Sequence, residues 1–283
     1  MTGCASGRAS GRATGRATRG AIARLLAMLL ASLGIDAASA VAQPTRWHFV
    51  SIHGHRMYYA ERGSGPVLLL LHGGGDSGEH SFERQLDEFS LRHHLIAPDQ
   101  VGQGHTPDVH GPLSYTSMME DTAALVKSLK LKRLDVVGFS DGGILALMLA
   151  VRYPELVRRL VISGVNIAPE GLQPEQLQGL RDAQSSGKPT TVAEKLAHLW
   201  LTSPTESELN LEMLSKIYRP VLVISGDRDA ITLEHTLMIF HALPQAELCV
   251  LPGTDHLTFA GRPEWLNPII SAFLDRAEIA EGP

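Results

Sequence analysis

The stretch Leu134-Asp135-Val136-Val137-Gly138-Phe139-Ser140-Asp141-Gly142-Gly143 decides the fold. A β-branched run leads into Ser140, glycines stand two residues to either side, and the apolar run Ile144 to Val151 follows. That order reads strand, tight turn, helix. A serine on such a turn has its hydroxyl pushed outward, and flanking residues without a Cβ let strand and helix approach closely. By itself Gly-x-Ser-x-Gly is a short pattern in a chain with 27 glycines; the strand before it and the helix after it give it meaning.

Upstream, Val67 to Leu71 is wholly apolar, as suits a strand buried on both faces, and it ends in His72-Gly73-Gly74-Gly75. Three glycines let backbone N–H groups face a site unobstructed. After a Gly-x-Ser-x-Gly elbow, one oxyanion donor comes from the residue following the nucleophile and one from the loop after the third strand. These are the amides of Asp141 and Gly74.

Trp47 to Ile52 and Met57 to Ala60 read as a hairpin turning at His53-Gly54-His55, two histidines expected to be solvated and not metal ligands, since no further ligand is spaced nearby. Phe82, Leu86 and Phe89 predict an amphipathic helix over 79–91 with a core aromatic pair. His94 to Pro98 is a strand running into a turn at 99–106; its two glycines lack the third of a dinucleotide fingerprint. Ser114 caps a helix reaching Leu129, and Ile144 to Val151 is a central buried helix. Strands Leu160 to Ser163 and Val221 to Ser225 are separated by far more chain than a crossover needs, so residues 167–218 are an insertion with helical patches, a lid over the site. A helix over 233–243, a strand Leu248 to Leu251 and an amphipathic helix around Trp265 to Leu274 complete the chain.

Gly226-Asp227-Arg228-Asp229 and Gly253-Thr254-Asp255-His256 each follow a strand. Parallel strands gather their C-terminal ends on one edge, so an acid and a histidine join Ser140 there. Serine, acid, histidine is the triad order of α/β-hydrolases.

At 283 residues and 44% hydrophobic content the chain can bury one full core. Residues 1–42 carry five arginines and one acid; the other 20 basic and 29 acidic residues give the body, 43–283, a formal charge of −9, with no basic face for nucleic acid. Residues 5 to 20 repeat Ser/Thr-Gly-Arg-Ala without apolar periodicity and are expected to be disordered. Leu25 to Ile35 then reads as the apolar core of a signal peptide, too short for a membrane span, with cleavage after Ala40 or Ala42 and a periplasmic or extracellular mature protein; an over-long translated start or an uncleaved amphipathic anchor, with a cytoplasmic protein, is the alternative. Cys249 is the body's lone cysteine and says nothing of redox compartment.

From Pro66 onward the chain resembles the α/β-hydrolases, which implies a mostly parallel, doubly wound α/β sheet with an N-terminal antiparallel hairpin. Its Ser-Asp-Gly-Gly elbow is similar to that of the valacyclovir-hydrolase (biphenyl-hydrolase-like) branch. On the family pattern, Ser140 is the nucleophile, His256 the base and Asp229 the acid, with Asp227 as the alternative. The family's Asp-x-Arg-Gly-x-Gly-x-Ser departs here at Val101 and Thr106, which removes any ion pair of that arginine but touches no triad residue. Gly75-Asp76 disfavours proline iminopeptidases, which carry His-Gly-Gly-Pro-Gly, and Ser140 disfavours the dehalogenases and epoxide hydrolases, which use an aspartate.

The expectation is therefore a cofactor-free serine hydrolase of small carboxylic esters, amides or lactones, acting on a small-molecule substrate. A ligand-binding receptor on the same fold and a carbon–carbon bond hydrolase are the competing readings. In the branch resembled, an acid at the position of Asp141 is associated with recognising the α-amino group of amino-acid esters; the alternative is that its side chain caps the helix starting at Gly142.

Overall fold

A computed structural model describes residues 43–184, 188–202 and 209–277. The expected leader, signal peptide and cleavage site lie outside the described residues.

The chain opens with the hairpin β1 (Arg46–Ile52) and β2 (His55–Gly63), paired Ile52 to His55 around His53 and Gly54. Both turn residues have positive φ, 43° and 89°, as a two-residue hairpin turn matched to strand twist requires. Then come β3 (Val67–Leu71), the short helix α1 (Gly78–Ser81), α2 (Glu83–Phe89), β4 (His94–Pro98), α3 (Tyr115–Ser128), β5 (Leu134–Phe139), α4 (Asp141–Arg152) and β6 (Val157–Ser163). The expected single helix over 79–91 is thus two helices. Phe82 leaves helical geometry at φ −116°, and its fully buried ring packs edge-on against Phe259, 5.0 Å between centroids. Tertiary packing overrides the helical period at that one residue.

Between β6 and β7 (Val221–Gly226) the chain forms a 3₁₀ turn at Pro169–Gly171, then α5 (Pro174–Ala183), α6 (Val192–Thr202) and α7 (Leu211–Leu214). The fold closes with α8 (Leu233–Ala242), β8 (Ala246–Leu251), α9 (Thr258–Gly261) and α10 (Pro263–Leu274). No helix among the described residues is long and apolar enough to cross a membrane.

The strands form one sheet in the order β1-β2-β4-β3-β5-β6-β7-β8, antiparallel at β1–β2 and β2–β4 and parallel throughout the rest. Strand periodicity splits the core in two. Leu69, Leu71, Val136, Leu160, Ile162 and Val223 pack with α3 and α4. Their neighbours Leu68, Leu70, Val137, Val161 and Leu222 pack with Phe82, Phe89, Phe259 and α10 on the other face. Both faces are covered, so the inner strands are apolar at every position, and α4, lying across β3, β5 and β6, is buried from Asp141 to Ala150.

The departures Val101 and Thr106 are absorbed locally. Val101 joins the core, while the Thr106 hydroxyl donates to Asp99 O at 2.7 Å and accepts from Tyr58 N at 2.9 Å. Asp99, fully buried, accepts from the Gly78 and His105 amides.

The glycines of the elbow are set by contact distance. A Cβ on Gly142 would lie 2.0 Å from Leu71 O, and one on Gly138 would lie 2.4 Å from Gly142 O. Both obstacles are backbone and neither can swing away. Gly142→Ala is expected to lower unfolding free energy by roughly 3 kcal/mol or more, as overpacking against backbone does. Urea denaturation of the variant against the parent checks this; a loss under about 1 kcal/mol would mean that strand and helix separate easily.

Candidate active site

Ser140 sits at φ 51°, ψ −118°, a conformation costing of order 1 to 3 kcal/mol for a residue with a Cβ. It persists because β5 and α4 are held on both sides. Ser140 N donates to Ser163 O at 2.8 Å, extending the β5–β6 ladder one residue, and its carbonyl accepts from Gly143 N at 2.8 Å. The hydroxyl is left pointing off the C-terminal edge of the sheet.

The same edge delivers the two partners. The β7–β8 register ends at Gly226 opposite Leu251, and the following loops stay joined through Asp227 N to Leu251 O and Arg228 N to Thr254 O. His256 lies with Nε2 3.0 Å from Ser140 Oγ and Nδ1 2.7 Å from Asp229 Oδ1. Asp229 is buried, and its carboxylate also accepts from Ile231 N at 3.0 Å and Gly226 N at 3.4 Å. Asp227 turns the other way: it is exposed and accepts from Thr254 N at 3.1 Å, and the Gly253 and Thr254 amides hold its carboxyl below the ordinary aspartate range. Gly164, at φ 62°, clears the space beside the imidazole, since a Cβ there would lie 2.7 Å from His256 Cε1.

In the glycine loop, Gly73 N donates to Ser81 Oγ and Gly75 N to Gln103 Oε1, at 3.3 and 2.7 Å. Between them, the Gly74 amide has no acceptor among the described residues, nor has the Asp141 amide at the start of α4. These are the two donors expected from the sequence. His72, buried at the end of β3, fixes the loop through Nδ1 to Gly73 O, 2.7 Å, and accepts from Gln100 N at 2.9 Å.

The Asp141 side chain does not cap α4. Its Oδ1 accepts from Tyr115 Oη at 2.7 Å, and Trp200 Nε1 lies 3.0 Å from both oxygens. Burial pushes this carboxyl above the ordinary aspartate range, while the Trp200 and Tyr115 bonds oppose the shift. Tyr115 and Trp200 escaped the sequence reading; Tyr115 follows a helix cap and Trp200 lies within the insertion, and neither position carries a local signature.

Ser140, Asp141 and His256 open onto a cleft of about 300 Å³ walled by Gly73, Gly74 and Phe139 and, from the insertion, Leu180 and Trp200. Two carboxylates, Asp76 and Asp141, line it, and no lysine or arginine does among the described residues. The hairpin histidines lie elsewhere: His53 is exposed, as expected, while His55 is largely covered, and both approach the buried Asp121, His53 Nδ1 at 2.7 Å and His55 Nε2 at 3.4 Å. No cluster of three or more metal-ligating side chains occurs among the described residues.

Comparisons with known proteins agree with this architecture. Residues 66–203 match the alpha/beta hydrolase fold family. Human serine hydrolase BPHL is 26% identical over 80% of this chain and 85% of its own length. A 2-hydroxy-6-oxo-2,4-heptadienoate hydrolase from Pseudomonas putida is 38% identical over a shorter region, 36% of this chain and 38% of its own. Among solved structures, the 2-hydroxy-6-oxo-6-phenylhexa-2,4-dienoate hydrolase of Rhodococcus sp. strain RHA1 superposes with a TM-score of 0.72, covering 83% of this chain and all of its own, at 19% identity. With its sheet order, its elbow and these relatives, the chain is a hydrolase of the α/β-hydrolase fold, distantly homologous to serine hydrolase BPHL and to meta-cleavage product hydrolases.

Proposed function

We propose that this protein hydrolyses small carboxylic esters through an acyl-enzyme on Ser140, with a preference for esters that carry an ammonium group near the scissile carbonyl. The observation that carries the reading is the hydrogen-bonded line Ser140 Oγ, His256, Asp229 beside two amides without acceptors.

With His256 Nδ1–H donating to Asp229, Nε2 is free to accept the Ser140 proton as Oγ attacks the acyl carbonyl. The Gly74 and Asp141 amides receive the oxyanion. His256 returns the proton to the departing alkoxide, leaving an acyl-serine. Water, deprotonated by His256, then releases the acid and restores the serine. No step calls for a cofactor. The insertion acts as a lid, supplying Leu180 and Trp200 to the cleft wall.

The charge of the cleft favours this reading over carbon–carbon cleavage. The dienoates named for the two hydrolases above are carboxylates, and a carboxylate entering a cleft with two acids and no lysine or arginine meets like charge, which costs several kcal/mol. An ammonium meets the reverse. Asp141 has no cationic side chain bonded to it among the described residues, and a charge-assisted contact there contributes roughly 1.5 to 3 kcal/mol, about one to two powers of ten.

Ser140→Ala is expected to lower kcat for a chromogenic ester by roughly 10⁴ to 10⁶ with the fold retained, and a fluorophosphonate should label Ser140 alone. Retained ligand binding by a protein that neither labels nor shows an acyl burst would instead point to a receptor. Asp229→Ala should cost roughly 10⁴ in kcat, by analogy with other triads, and Asp227→Ala less than about threefold. Equal losses in the two variants, measured under saturating substrate, would remove Asp229 from its assigned place.

For substrate class, the comparison is between an α-amino ester, its des-amino analogue and a 2-hydroxy-6-oxo-dienoate. The expected order of kcat/KM is amino over des-amino by roughly 10- to 100-fold, with the dienoate about 100-fold below the des-amino ester. An amino preference that survives Asp141→Asn, or a dienoate turned over as well as the esters, would contradict the assignment.

A further inference from the structure

Asp141 is an acid buried at the wall of the cleft, and what surrounds it is unusual. The titratable groups facing it are Tyr115 from α3, His72 from the end of β3 and His256 from the loop after β8. None is a lysine or arginine. Burial favours the neutral acid, and an ionised carboxylate taken out of water without a cation costs several kcal/mol unless its oxygens are well bonded. Those bonds come from two donors of opposite origin. Tyr115 belongs to the core, where its hydroxyl is fully enclosed and burial pushes its own ionisation well above the ordinary range, so it acts as a fixed neutral donor. Trp200 belongs to the insertion, in the last turn of α6.

Trp200 is also wedged against the oxyanion loop. A Cβ on Gly74 would fall 2.7 Å from Trp200 Cζ2 and 2.3 Å from Asp141 Oδ2, so indole, carboxylate and the Gly74 backbone occupy one small volume. The rest of α6 is anchored independently. Leu196 and Leu199 are buried in the main core, and Lys195 Nζ binds both oxygens of Asp108 at 2.9 and 2.8 Å. The indole N–H is therefore presented by a helix whose position does not depend on Asp141.

We infer that Trp200 is a positioning residue for Asp141: by bonding both carboxylate oxygens from the insertion, it fixes that group's place and charge beside the oxyanion loop, and thereby sets how strongly the site prefers cationic esters. The insertion then controls selectivity through the acid of the elbow, by an N–H that need not contact the ammonium. The substrate part of this inference rests on the ammonium preference proposed above; the Asp141–Trp200 linkage does not.

The direction of the effect follows from the charges. Trp200→Phe keeps an aromatic ring but removes the N–H together with part of the indole that lies against Gly74, so the discriminating readout is a ratio of two esters and not a rate. The carboxyl, left with Tyr115 as its one side-chain donor, rises further and is protonated over more of the pH range, so its attraction for an ammonium weakens. The ratio of kcat/KM for an α-amino ester to that for its des-amino analogue reports this, because the titration of His256 affects both esters and cancels. Between about pH 5 and 6 the substrate amine stays charged.

In that range Trp200→Phe should lower the ratio by at least about fivefold, towards the value of Asp141→Asn, and move the pH at which the ratio falls upward, whatever happens to the two rates in common. Tyr115→Phe, which removes the other donor, should move it the same way. A Trp200→Phe enzyme with the parent ratio and the parent pH profile overturns the inference.

An independent measurement on the unsubstituted full chain needs no substrate. The indole ¹⁵N–¹H resonance of Trp200, assigned by its loss in Trp200→Phe, should shift with pH at a midpoint above the ordinary aspartate value of about 3.9. In Asp141→Asn that shift should vanish. A resonance that does not move between about pH 4 and 8, or moves equally in Asp141→Asn, overturns the linkage whatever the substrate. If the wild-type ester ratio is near one at every pH while the resonance titrates as expected, the ammonium preference fails and the linkage stands.

Discussion

The close approach of three backbones at the elbow is the constraint on which the rest of the structure depends. Gly142 brings α4 against the carbonyl ends of β3, and Gly138 brings β5 against the start of α4, both at distances no Cβ would permit. Ser140 is the residue left in the tight corner, held at positive φ by a ladder bond on one side and a helical turn on the other. The strain is modest beside the apolar surface that β3, β5, β6 and α4 bury together. The same corner sets the Ser140 hydroxyl above the sheet edge and exposes the amide of Asp141, so both groups come from one local geometry.

What reaches that corner is decided by strand register. The parallel pairing from β3 to β8 aligns the strand ends, and the loops beyond β7 and β8 remain cross-linked by backbone bonds for several residues. That continuation gives Asp229 and His256 fixed places although both lie in loops. Asp229 is further held by two backbone amides, so the imidazole is oriented by an acid that is itself immobile.

Electrostatically the cleft is one-signed. Asp76 and Asp141 line it without a compensating lysine or arginine among the described residues, yet the two acids are held differently. Asp76 is partly open to solvent and bonded to Ser77 N, Ser81 Oγ and His80; burial acts against its ionisation, and those donors together outweigh it, leaving its carboxyl below the ordinary range. Asp141 is enclosed and bonded only to neutral donors, so its carboxyl lies above that range.

The sequence by itself determined the framework and the residues that meet at the edge of the sheet. Wholly apolar strands such as Val67 to Leu71, the glycine spacing around Ser140, and acids and histidines placed just after strands are local patterns, because strand burial, tight turns and sheet edges impose local requirements. Its choice of Asp229 over Asp227 rested on spacing from Gly226 and on the family pattern; the two stand in one turn, and the loop's path is what sends one carboxylate to Thr254 N and the other to His256. The sequence could not break the helix at Phe82, which yields to packing on Phe259 from the far end of the chain, or join His53 and His55 to Asp121. The surroundings of Asp141 were the least legible: Tyr115 and Trp200 are 26 and 59 residues away. A hydrogen bond across such separations leaves no periodicity in the chain, and only the packing of α3 and α6 around the elbow brought those donors to one buried carboxylate.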